Sequence, residues 1–76
     1  MIIDYKSMML SGDEVIILAL ADITVVGLLQ ISKDRSRVVK GDPDLPYTIL
    51  VDKKLPELSR ELIRADLEAC AKRLAF

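Results

Sequence analysis

Residues 14–32 read EVIILALADITVVGLLQIS, and their conformation decides the fold of the chain. Every odd position from Val15 to Ile31 is apolar or glycine, while Glu14, Asp22, Thr24, Gln30 and Ser32 all fall on even positions. That two-residue period is the pattern of a strand with one buried face. The block is also rich in β-branched residues, which favour strands. Three other readings compete. Ser11-Gly12-Asp13-Glu14 matches a capping box, which would start a helix near Gly12. A break at Ala21-Asp22 would make two short elements, with Asp22 capping the second from Ile23. A membrane span is the fourth reading. The 17 residues from Val15 to Ile31 are slightly short for it. Asp22 would then lie near mid-bilayer, at roughly 2.5–3.5 kcal/mol.

Outward from this block the chain divides into a short lead at 1–11, a polar middle at 32–54 and an amphipathic tail at 55–76, within one domain of 76 residues. Pro46-Tyr-Thr-Ile-Leu-Val51 is β-branched and aromatic and lies between aspartate-rich turns, so it reads as a strand. The tail reads as a helix over 56–76. Pro56 sits in its first turn, where a missing N–H is harmless. Ile63, Leu67, Cys70 and Leu74 follow helical spacing, and Leu58 and Leu62 extend the same side. Glu68 and Lys72 are spaced to pair on the opposite side.

A domain this small buries only about 60% of the surface its unfolded chain exposes. Small folds of this kind often lean on disulfides, metals or self-association. The single cysteine, Cys70, excludes an internal disulfide, and the absence of histidine excludes a Cys/His metal site. Self-association is left, and 51% apolar residues with a mean hydropathy of +0.31 favour it. A lone cysteine and an N-terminus unlike a secretion signal point to the reducing cytoplasm.

Catalytic templates fail for want of parts. Without histidine there is no Ser-His or Cys-His pair, and Gly12, Gly27 and Gly41 are too far apart to cradle a phosphate. Asp42 and Asp44 flank Pro43 in a sequence that reads as a solvated turn. Cys70 lies in the apolar seam and reads as an inert thiol. No enzyme activity, metal or cofactor is expected.

Net charge is −1, but it is unevenly spread. Residues 33–40, KDRSRVVK, carry +3, the one concentrated positive run. With Ser32 as N-cap, Lys33, Arg37 and Lys40 would share a helix face able to neutralise phosphates. The alternative is a solvated helix or hairpin face.

Ile23-Thr-Val-Val-Gly-Leu-Leu-Gln-Ile-Ser-Lys-Asp-Arg-Ser-Arg37 resembles the helix-turn-helix of AlpA-type and excisionase-type proteins of the MerR-like winged-helix class. Asp42-Pro-Asp-Leu-Pro46 is similar to that family's turn after the recognition helix, and Ile63-Arg-Ala-Asp-Leu-Glu-Ala69 to its final helix. The resemblance spans about residues 14–76. It implies an α+β winged helix-turn-helix, with the helix-turn-helix region at 12–40, a strand or wing at 46–54 and a final helix at 56–76. It further implies duplex DNA as partner, bound as a small regulator of a phage or mobile element would bind it. Contacts would come from Ser32, Lys33, Arg35, Ser36, Arg37 and Lys40 on the recognition helix, and from Lys53 and Lys54 on the wing. It would make 57–63 extended, whereas Pro56 and the apolar spacing make that segment helical.

A second reading has 15–31 as paired strands covered by the tail helix. It describes a small module that dimerises or docks on a partner protein. Helix at 15–31 favours the DNA reader, and strand favours the module.

Overall fold

The computed structural model describes residues 2–11, 14–32 and 47–74. Residues 14–32 form two strands. The chain runs β1 (Ile3–Ser11), β2 (Glu14–Ala21), β3 (Thr24–Ser32), β4 (Tyr47–Val51) and α1 (Glu57–Leu74). The strands lie side by side in the order β1-β2-β3-β4, each antiparallel to the next.

The break at Asp22 exists, but it is a hairpin turn. Ala21 faces Thr24 across the two-residue turn Asp22-Ile23, and Asp22 takes a φ of 59°. Aspartate tolerates this left-handed region better than most residues other than glycine and asparagine. The two outer residues of the capping-box motif are strand ends, with Ser11 ending β1 opposite Glu14 at the start of β2. The segment that reads as a lead is the nine-residue β1.

The register puts alternate residues on opposite faces. Ile17 faces Leu29, Ala19 faces Gly27, and Leu29 and Gly27 face Ile49 and Val51. These residues share one face with Ile3, Tyr5, Val15, Ile31 and Tyr47. Ala19 opposite Gly27 is followed by Leu20 opposite Val25, so Val26 is the extra residue of a β-bulge. Val26 is buried with the core, and its carbonyl accepts from Asp52 N at 2.8 Å.

A tight turn then leads into α1. Lys54 N donates to Asp52 Oδ1 at 2.9 Å, Leu55 N donates to the Asp52 carbonyl at 3.3 Å, and Arg60 N donates to the Pro56 carbonyl at 3.0 Å. Glu57 in the first turn and Lys72 and Arg73 in the last complement the helix dipole. The helix lays Ile63, Leu67 and Ala71 on the sheet, and together with Ile17, Ala19, Val26, Leu29 and Ile31 they form the core. Gly27 is where the helix comes closest: a Cβ there would meet Ile63 Cγ2 at 3.0 Å and Ala19 Cβ at 3.3 Å.

This architecture overturns the winged helix-turn-helix. Residues 23–31 cannot be a positioning helix, because 24–32 are β3, hydrogen-bonded to strands on both sides. Strong alternation and β-branching outweigh a short capping motif whose Ser11 and Glu14 serve strand ends equally well. No wing forms at 57–63, which belongs to α1, and β4 pairs with β3. The buried helix face is also rotated from the expected seam. Ala71 is fully buried and Cys70 partly so, while Leu58, Leu62 and Leu74 are exposed.

Candidate interaction surface

Among the described residues, only one sheet face carries a helix. No described element packs across the other face, which presents Met8 from β1, Ile16, Leu18 and Leu20 from β2, Leu28 from β3 and Leu50 from β4. None of these six side chains is fully buried, and Met8 and Leu50 are exposed. One corner of this face is polar: Glu14, Gln30, Ser32 and Thr48 gather there, with Gln30 Nε2 donating to Glu14 Oε1 at 2.8 Å. Contiguous apolar surface of this kind marks interaction sites in small proteins.

The β1 edge adjoins that face. Its outer-face residues run Asp4, Lys6, Met8, and its helix-side residues run Ile3, Tyr5, Ser7, Met9. Asp4 and Lys6 are exposed, and among the described residues no ion pair engages either. On the helix side, Ile3 lines a groove of about 230 Å³ with Leu58, Ser59, Leu62 and Ile63. Tyr5 lies one turn further along α1 and donates its hydroxyl to Asp66 Oδ2 at 2.5 Å. Partial burial, and then the Asp66 carboxylate beside it, push the Tyr5 hydroxyl well above its ordinary range. The Cys70 thiol follows on the same side and accepts from Arg73 Nη2 at 3.4 Å.

Of the expected DNA contacts, Ser32, Lys53 and Lys54 are among the described residues. Ser32 ends β3 with its side chain buried, so it presents no hydroxyl to a phosphate. Lys33, Arg35, Ser36, Arg37 and Lys40 lie outside the described residues. Lys53 and Lys54 are exposed in the turn between β4 and α1. That turn follows Val51, which faces Gly27. Gly27 lies five residues along β3 from Ser32, about 17 Å. The positioning helix expected at 23–31 is replaced by β3 and the turn before it.

Sequence reasoning missed β1 altogether. Its signal was present in Ile3-Asp-Tyr-Lys-Ser-Met8, where hydrophobic and charged residues alternate, but Ser7 and the Met8-Met9-Leu10 run blur the period.

Among the described residues there is no cluster of His, Cys, Asp and Glu side chains that could hold a metal, and no helix is long and apolar enough to cross a membrane. No protein-family model, curated protein or solved structure matches the chain.

Proposed function

We propose that this chain is a protein-interaction module that works as a self-associated assembly. The observation that carries this reading is the one-sided architecture. Among the described residues a single helix covers one face of the sheet, while Met8, Ile16, Leu18, Leu20, Leu28 and Leu50 leave the other apolar and incompletely buried. Large exposed apolar side chains elsewhere, including Ile2, Met9, Leu58 and Leu62, add to it. A chain of 76 residues that is 51% apolar has little interior in which to hide such surface. Association buries apolar surface beyond what the core of a domain of this size can hold.

Sedimentation velocity over a wide range of protein concentration tests the reading. A mass above the monomer that falls on dilution supports it. A monomer at every concentration refutes it.

A further inference from the structure

From the charge pattern of the exposed edge of the described sheet we propose that β1 is the self-association strand, pairing antiparallel with β1 of a second copy about a two-fold axis through Tyr5. This rests on the reading of the chain as a self-associating module and names its contact surface.

The argument is one of register. Two identical strands paired about a two-fold axis must keep odd residues on one face and even residues on the other, because side chains alternate. The axis therefore passes through a residue position; Ser7 is the centre of β1, and the charges decide between it and its neighbours. An axis at Lys6 sets Lys6 against Lys6, and one at Asp4 sets Asp4 against Asp4. An axis at Ser7 faces both charges with uncharged residues. With the axis at Tyr5, Asp4 of each copy lies opposite Lys6 of the other. Both charges of the edge are then matched, twice over, on the exposed outer face. Opposite charges directly across strands stabilise the pairing, and like charges oppose it.

The same register matches the apolar residues. Ile2, 84% exposed, comes opposite Met8, 46% exposed, and the pair occurs twice. On the helix side Tyr5 lies beside Tyr5. Met9, 73% exposed, comes to lie diagonal to Ile3 of the second copy, over the groove that Ile3 lines with Leu58 and Leu62. Diagonal neighbours remain within reach of a long side chain, and methionine fills irregular apolar gaps. Because the axis is perpendicular to the sheet, both helices lie on one side. The two apolar outer faces then join into a single eight-stranded surface.

Charge reversal tests the register. D4K makes both edge charges positive, and K6D makes both negative. Each variant should sediment as a monomer where the unaltered chain is dimeric, with a Kd raised by about tenfold or more. An equimolar mixture should restore a one-to-one dimer, since the two edge lysines of one variant then face the two edge aspartates of the other. The double variant D4K/K6D should restore it too. Hydrogen exchange on the unaltered chain supplies a measurement free of substitution: β1 amides should gain protection as concentration rises, and β4 amides should not. If the single variants associate like the unaltered chain and β1 gains no protection, the β1 interface is wrong, while the self-association reading stands. A loss in K6D alone that D4K/K6D does not reverse overturns the Tyr5 register. A monomeric unaltered chain overturns the interface and the self-association reading together.

Discussion

The Tyr5 hydroxyl on β1 donates to Asp66 Oδ2 on α1 at 2.5 Å, joining two elements across 61 residues of sequence. The helix packs chiefly over β3 and β4, so this bond is a main polar tie between α1 and the β1 edge.

Tyr5→Phe should therefore lower stability modestly, by about 0.5–1 kcal/mol, because the pair is partly open to solvent. Its pH signature is more specific. The folded chain holds the Tyr5 proton more tightly than the unfolded chain, whose hydroxyl titrates near the ordinary 10.0. Above that pH the unfolded state loses its proton first, so the Tyr5 contribution is complete below it and declines as pH rises. Denaturant unfolding of Tyr5→Phe should show a smaller alkaline loss of stability than the unaltered chain. Equal alkaline slopes would mean that Tyr5 is not held this way.

Gly27→Ala should destabilise. The new methyl would meet Ile63 Cγ2 at 3.0 Å, and Ile63 is fully buried. Overpacking of this kind costs about 1–3 kcal/mol, of which the stiffer unfolded chain returns about 0.4–1 kcal/mol. Ile63→Leu removes the branching methyl, so the penalty for Gly27→Ala should shrink in that background. A double-mutant cycle from chemical unfolding measures the coupling, and strict additivity would contradict the close approach.

Asp22→Gly should stabilise by about 0.5 kcal/mol, and Asp22→Val should destabilise by about 1–2 kcal/mol, because a φ of 59° suits glycine and disfavours a β-branched side chain. Thermal midpoints rank the three. A glycine variant less stable than the unaltered chain would show that the aspartate side chain supports the turn.

Leu67→Ala should cost about 2–5 kcal/mol, since Leu67 is fully buried between helix and sheet. Leu74→Ala should stay within about 0.5 kcal/mol, because Leu74 is 44% exposed. Comparable losses at the two positions would place the buried face of α1 on the seam that spacing alone implies.

The strand period of 15–31 was visible beside a competing helix reading, because burial on one face imposes alternation, and the paired strands keep it at 15–21 and 27–31. The C-terminal helix and the strand at Tyr47 were legible for similar reasons, each having local punctuation at Pro56 and at the flanking aspartates. The face of α1 was not. Leucine spacing fits several rotations, and the choice was made by Gly27, whose missing side chain admits Ile63. Nothing in the sequence near Ile63 announces that gap. The bulge at Val26 shifts the register of β3 by one residue, and it shows only when strands are paired. The winged-helix reading failed because short motifs such as Ser11-Gly-Asp-Glu14 and Asp66-Leu-Glu-Ala69 carry little long-range information. The candidate surface was legible only as an apolar surplus. Assigning it to one sheet face and one edge required the strand order.

The position of α1 after all four strands also bears on how the chain is made. Each hairpin pairs neighbours in sequence, so β1, β2 and β3 can assemble as soon as they leave the ribosome. The cover for Ala19, Leu29 and Ile31 is still unmade at that moment. The stretch from Lys33 to Leu74 takes roughly two to eight seconds to synthesise at about 5–20 residues per second. Through that interval the nascent sheet is wet and greasy on both sides. It is then most open to capture by a chaperone, or by the same strands of a neighbouring chain on the same messenger.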